Sequence, residues 1–258
     1  MYIDSHCHLD RLNLEKYPNG LSEALDTARE NGVSRMLCVA IDLEHIDDVL
    51  SIAEQHNDIF ASVGVHPTSH EGEEPSVERL LALADNRDVI AIGETGLDYY
   101  YGEESREIQQ ARFITHMKAS AVCGKPIIVH TRDAKEDTLA LISAHCDPKI
   151  AGVLHCFTED LDMAQRAIEM GFYISFSGIV TFKNAKALQE VARAIPMDRM
   201  LIETDSPYLA PVPFRGKPNE PKYVPEVAKF IADLRGISLE EVADLTANNF
   251  NTLFKVEA

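Results

Sequence analysis

Pro126-Ile127-Ile128-Val129-His130-Thr131-Arg132 is the stretch on which the fold turns. Apolar residues stand side by side without alternation, and a histidine ends the run. Such a run reads as a strand covered on both faces, which is how strands of a parallel sheet are buried. Working outward, the same kind of run recurs at 1–6, 36–41, 59–66, 89–94, 151–157, 173–179 and 200–205. Amphipathic segments predict helices over 21–31, 44–56, 76–86, 104–122, 134–146, 160–170, 184–194 and 223–235. Eight strand–helix units point to an α/β fold of the (β/α)8 TIM barrel type, and 258 residues suit one such barrel domain spanning 1–258. One misread strand would instead leave an open, doubly wound sheet. Ser238-Leu239-Glu240-Glu241 has the pattern of a capping box, and Leu239, Val242, Leu245, Phe250 and Leu253 continue it as an extra C-terminal helix packed on the barrel. Residues 210–225 hold five of the 12 prolines and read as a long loop.

Composition narrows the classes. No apolar stretch approaches the ~20 residues that span a bilayer, and no basic segment precedes an apolar run at the N-terminus, so a cytoplasmic protein without membrane contact is expected. Cys7, Cys38, Cys123, Cys146 and Cys156 are odd in number and widely spaced, which argues against a disulfide framework. The net charge of −18 argues against a broad nucleic-acid-binding face, so a phosphate-bearing substrate must be captured locally. No obligate protein partner is evident.

Metal-ligating residue types recur where strands end. His6 and His8 share one face of an extended segment, because residues i and i+2 do, and Cys7 points away. Glu94, His130, His155 and Asp205 each terminate an apolar run. Singly, a strand-end histidine also reads as a carbonyl-bonding residue and a strand-end Asp as a helix cap. Jointly they converge on the C-terminal mouth of a barrel, where active sites of this fold lie, and burying them unpartnered is costly. Six ligands exceed the three of a single catalytic zinc. Two divalent ions roughly 3.5–4 Å apart, with a bridging carboxylate such as Glu94, are therefore expected. Four imidazoles suit Zn²⁺ or Mn²⁺ better than Mg²⁺, without choosing between them.

Tyr2-Ile3-Asp4-Ser5-His6-Cys7-His8-Leu9-Asp10, the stretch from Pro126 through Ala134, and Ile202-Glu203-Thr204-Asp205-Ser206-Pro207-Tyr208 resemble signatures of the TatD DNase family of amidohydrolase-like barrels. Gly64-Val65-His66-Pro67 and Gly93-Glu94-Thr95-Gly96-Leu97-Asp98 match further blocks. The resemblance implies that His6, His8 and Asp205 bind one ion, His130 and His155 the other, and that Glu94 bridges them. It implies Asp205 as the base for the attacking water, with Glu94 and Asp205 as the catalytic carboxylates. Glu203 would orient a first-strand histidine, or else be a cap or surface carboxylate. His66 and Arg132 would contact a substrate phosphate; the alternative for Arg132 is a salt bridge to Asp133 or Glu136. Tyr99-Tyr100-Tyr101 is either a stacking platform or a packing lid. Cys7 and Cys156 read as packing residues.

The implied activity is a metal-dependent deoxyribonuclease, a 3′→5′ exonuclease preferring single strands, with DNA or another phosphate ester as substrate. The alternative is hydrolysis of a carboxylic ester or amide, such as an aminoacyl-tRNA ester. A non-catalytic scaffold has no need of six buried ligands.

Overall fold

A computed structural model describes residues 1–69, 72–102 and 105–257. The elements alternate: β1 (Tyr2–Cys7), α1 (Gly20–Glu30), β2 (Val33–Cys38), α2 (Ile46–Gln55), β3 (Ile59–Val63), α3 (Val77–Ala84), β4 (Val89–Asp98), α4 (Arg106–Cys123) and β5 (Ile127–Arg132). They continue with α5 (Lys135–His145), β6 (Gly152–Leu154), α6 (Leu161–Glu169), β7 (Tyr173–Phe176), α7 (Lys186–Ala194), β8 (Met200–Ile202), α8 (Val224–Arg235) and α9 (Leu239–Phe254). All strands pair in parallel, each with its sequence neighbour, from β1 round to β8. The architecture is the expected (β/α)8 barrel.

The barrel closes between β1 and β8 through single bonds instead of a regular ladder. The Asp205 N–H donates to His6 O at 2.9 Å and the His8 N–H to Ser206 O at 2.8 Å. The fully buried Asp4 carboxylate accepts from the Thr204 N–H at 2.9 Å and from its hydroxyl at 2.5 Å. Ser5 Oγ donates to Ile202 O at 2.9 Å. The seam thus sets His6, His8 and Asp205 beside one another.

Local sequence explains the helix ends. Ser76, Asp160 and Ser238 accept from the backbone N–H three residues on, at the starts of α3, α6 and α9. Two apolar layers hold the barrel. Outward-facing residues such as Met36, Ile92, Val129 and Ile174 pack under the helices. Inward-facing Ile3, Leu37, Ile90, Ile128, Val153 and Leu201, near the strand starts, pack against Phe250, Leu253 and Phe254 of α9. The extra helix therefore plugs the N-terminal end of the barrel, a placement that its apolar pattern alone does not specify.

Strand ends differ from the sequence expectation. β3, β6 and β8 stop at Val63, Leu154 and Ile202, before the polar residues expected to end them. β4 runs on to Asp98, four residues past Glu94. Backbone groups that approach the site leave the ladder: Asp205 and Cys156 adopt left-handed φ values of 56° and 41°.

Candidate metal centre

Close approach of β4 and β5 brings the central carboxylate into place. Gly93 and Gly96 have φ values of 139° and 134°. A Cβ on Gly96 would lie 2.0 Å from His130 O, and one on Gly93 2.6 Å from Ile128 O. Only glycine permits this spacing. Left-handed backbone at Asp205 is a sparsely populated conformation for a residue with a Cβ, and such outliers concentrate at functional sites.

All six residues marked at strand ends meet at one end of the barrel. Glu94 Oε2 lies 3.3 Å from His6 Nε2 and 4.0 Å from His8 Nε2. Asp205 Oδ1 lies 3.4 Å from His8 Nε2 and 3.8 Å from His6 Nε2. Glu94 Oε1 faces the other way: 2.7 Å from His155 Nε2, 3.3 Å from His130 Nδ1 and 3.3 Å from His66 Nε2. The two oxygens of one carboxylate are thus divided between two sets of imidazoles. Ligand-type atoms of His6, His8 and Asp205 lie within 4.8 Å of one another, as do those of His66, Glu94 and His130.

At His8, His130 and His155 the far nitrogen decides which atom is bare, whereas both ring nitrogens of the buried His6 lack a hydrogen-bond partner. His8 Nδ1 is 2.8 Å from Val39 O, which only accepts. His130 Nε2 is 3.0 Å from Asp98 Oδ2. His155 Nδ1 is 3.3 Å from Glu203 Oε1. Each far nitrogen therefore carries the proton, and the near nitrogen presents a lone pair to Glu94's surroundings. His6 Nε2 and His155 Nε2 are buried without a hydrogen-bond partner; the 2.7 Å approach of His155 to Glu94 is not aligned as one. Orphaned buried nitrogens are costly, and a cation would satisfy them. This donor set, imidazole nitrogens and carboxylate oxygens, fits a borderline divalent ion.

Burial alone drives these groups toward neutrality. At Glu94 that push is overcome by His155, His66 and His130, which hold the carboxyl well below the usual range. Burial is likewise outweighed at Asp205, held down by His8, His6 and His155. At His155 burial is outweighed by Glu94 and Glu203, which raise the imidazole strongly. His6 is lowered, by burial first and then by His155, whose ring stacks on it at 3.8 Å between centroids. Two charged carboxylates among competing imidazoles make a site where protons and metal ions contend for the same atoms.

Two residues sit otherwise than the sequence suggested. Glu203 touches the sixth-strand His155 and the Cys156 N–H (2.8 Å), not a first-strand histidine by any hydrogen bond. It is fully buried, so it is no surface carboxylate. Cys156 is no mere packing residue: it lines the cavity, because β6 ends at Leu154 and strand alternation no longer governs its direction. Cys7 does pack inside, donating to Leu37 O. Asp98, whose bond orients His130, had no role assigned from sequence; its place in Gly93-Glu94-Thr95-Gly96-Leu97-Asp98, on Glu94's own strand, was the available signal.

The cavity above the cluster measures about 720 Å³, the size of a small-molecule site. Arg132 stands at its mouth with its guanidinium 4.0 Å from the Tyr100 ring and 4.8 Å from Tyr101. Glu136 instead pairs with Arg166. The tyrosine run divides: Tyr99 is buried and donates to Asp137, whereas Tyr100 and Tyr101 are exposed. Tyr208, Leu209 and Ile179 line the cavity as well.

A parallel barrel with a histidine–carboxylate centre at its C-terminal mouth defines a metal-dependent hydrolase, and the comparisons agree. The family model for TatD related DNase matches residues 3–255, and the chain belongs to that family. It is 48% identical over 259 residues to the Escherichia coli K12 protein named uncharacterized metal-dependent hydrolase YcfH, covering 99% of this chain and 96% of that one. It is 35% identical over 231 residues to the 3'-5' ssDNA/RNA exonuclease TatD of Enterobacter lignolyticus, covering 87% and 89%. The crystal structure of YJJV, a TatD homologue from Escherichia coli K12, superimposes with a TM-score of 0.90 at 29% identity, covering 99% and 98%. No helix among the described residues is long and apolar enough to cross a membrane.

Proposed function

We propose that this hydrolase uses two divalent metal ions to cleave phosphodiesters at the 3′ end of single-stranded DNA. The observation that carries the reading is the division of Glu94: Oε2 toward His6 and His8, Oε1 toward His130 and His155. In this reading His6, His8 and Asp205 would hold one ion and His130 and His155 the other, with Glu94 shared by both. Bound divalent ions would polarise the phosphoryl oxygens and acidify a bound water.

The chain's own groups do the rest. Asp205, charged and open to the cavity, takes a proton from the attacking water. Water oxygen adds to phosphorus, the bond to O3′ of the preceding nucleotide breaks, and that oxygen takes up a proton. A 5′-mononucleotide leaves and the strand keeps a 3′ hydroxyl. Arg132, whose guanidinium lies over the rings of Tyr100 and Tyr101, offers paired donors to a phosphate. With a net charge of −18 there is little surface to hold a duplex. A frayed or single-stranded end entering a compact cavity suits these features, as does the name of the Enterobacter relative.

The test is a panel of end-labelled single- and double-stranded DNA, RNA and a carboxylic ester, with Mg²⁺, Mn²⁺ or Zn²⁺ added. Immediate release of labelled mononucleotide from a 3′-labelled single strand is expected. Nicking of closed circles at a comparable rate would remove the end preference. Ester hydrolysis without nucleic-acid cleavage would move the enzyme to carbonyl chemistry.

A further inference from the structure

We infer that the paired segments after β7 and β8 form a basic ledge that carries the 5′ part of a single-stranded substrate, by its backbone phosphates, as the strand leaves the cavity. Charge is unevenly spread round the barrel's mouth. The connections after β1, β2, β3, β5 and β6 bear carboxylates, among them Asp10, Asp42, Glu73, Asp133 and Glu159. Residues 177–189 and 206–219 contain none, although the chain holds 42 acidic residues. They contain Lys183, Lys186, Arg215 and Lys217 instead, all exposed. This charge is not spent internally. Nearby Glu190 pairs with Arg193 and buried Glu220 with Lys16 and Lys222, and among the described residues no carboxylate forms a salt bridge with any of the four. Lys186 Nζ donates only to the neutral Gln189 Oε1, at 3.2 Å.

The two segments are built as one body. The Val212 N–H donates to Thr181 Oγ1 at 2.9 Å, and the Arg215 guanidinium lies 4.3 Å from the centre of the Phe182 ring. A Cβ on Gly178 would stand 2.0 Å from Leu209 O, so glycine is what lets the backbones touch. Phe214 stacks on Tyr223 at 4.1 Å. From beneath, the buried Asn219 donates through Nδ2 to Thr204 O at 2.8 Å and to Tyr208 O at 2.5 Å, which ties the ledge to the turn that carries Asp205. Ile179, Tyr208 and Leu209 of the same segments line the cavity. The inference rests on the nuclease reading: with the terminal nucleotide in the cavity, the remaining strand has to cross the rim. Carboxylates elsewhere on the rim repel its phosphates, and the four cations attract them. Contacts of this kind follow a single strand's backbone without reading its bases, so the ledge governs how tightly a strand is held and leaves base choice open.

Two variants of the metal-loaded protein decide: the triple change Lys183→Gln, Arg215→Gln and Lys217→Gln, and the double change Lys183→Gln and Lys217→Gln, which keeps the Arg215–Phe182 contact. Binding is read by fluorescence anisotropy of a labelled single strand of about 12 nucleotides, with phosphorothioate linkages that slow hydrolysis. Kd should rise about 30-fold in the triple variant and about tenfold in the double variant at low salt, and the slope of log Kd against log salt should fall by about 2 in the triple variant, roughly 0.7 for each contact removed. Unchanged Kd and slope, or no measurable binding by the unaltered chain, would overturn the inference. Uncharged methylphosphonates upstream of the last nucleotide should weaken binding to the unaltered chain and add little further loss in the triple variant. Fully additive losses would place the contacted phosphates elsewhere and overturn it too. Turnover of a small chromogenic phosphodiester, too short to reach the ledge, should stay unchanged in both variants while KM for the oligonucleotide rises; an equal fall on the small ester would assign the effect to the metal centre and defeat the ledge. If no nucleic acid is cleaved at all, the nuclease reading fails while the binding measurements still judge the ledge.

Discussion

The two ends of the barrel are built from the same strands and are equally buried, yet they follow opposite rules. At the N-terminal end Ile3, Leu37, Ile90 and Ile128 meet Phe250, Leu253 and Phe254 in an apolar cluster. At the C-terminal end, strand residues and their continuations are His6, His8, Glu94, His130, His155 and Asp205, also buried or nearly so. One end contributes transfer free energy; the other holds polar atoms away from water at a cost that a bound cation offsets. In such a barrel one face bears stability and the other chemistry, and this chain divides that labour along each strand.

Substitutions at the two ends should separate cleanly. The largest effect is expected from Glu94→Ala: activity down by at least about 10³-fold, roughly 4 kcal/mol in the transition state, with fewer ions bound and a melting temperature close to the unaltered value. Hydrolysis at an undiminished rate with full metal content would break the contrast at its centre. Phe250→Ala should do the reverse, lowering stability by about 3–5 kcal/mol in denaturant titration while kcat of the folded fraction stays unchanged. A change of kcat at that distance would mean the plug and the site are coupled.

His116 sharpens the comparison because it is a buried polar group that belongs to neither end. Burial lowers its imidazole to about 4, whereas a free histidine titrates near 6.5. Its folded value is depressed, so the unfolded chain binds the proton first as pH falls. The stability it supports is whole above about pH 6.5 and is lost between there and pH 4, by about 3 kcal/mol in all. His116→Gln should therefore be flatter than the unaltered chain over that window in pH-dependent unfolding. Parallel curves would show that His116 is not the group responsible.

The smallest effect is expected at Asp98. Asp98→Asn removes the anion that orients His130, and loss of such an outer partner weakens metal affinity by about 10–100-fold. Isothermal titration with Zn²⁺ or Mn²⁺ would read it. Unchanged affinity would mean that β4 and β5 position His130 without help.

Much of this was legible beforehand because the period of a buried parallel strand leaves few options. Ile127-Ile128-Val129 ending in His130 reads as a buried parallel strand, which puts its histidine at the C-terminal edge. His6 and His8 face together by alternation alone, and the polar residues that ended apolar runs were conspicuous for that reason. Alternation failed once the ladder stopped. Cys156 turned into the cavity, and Glu203 reached His155, since left-handed backbone at Cys156 and Asp205 obeys no strand rule. Eight strand–helix units, which favoured a barrel over an open sheet, and the six polar residues beside the apolar runs were readable from the sequence, because residue period and residue chemistry are local. Tertiary contacts alone set which oxygen of Glu94 faces which histidines, that Asp98 orients His130, and that α9 plugs the far end. Those are contacts between elements distant in sequence or dependent on exact backbone direction, and no local pattern encodes them.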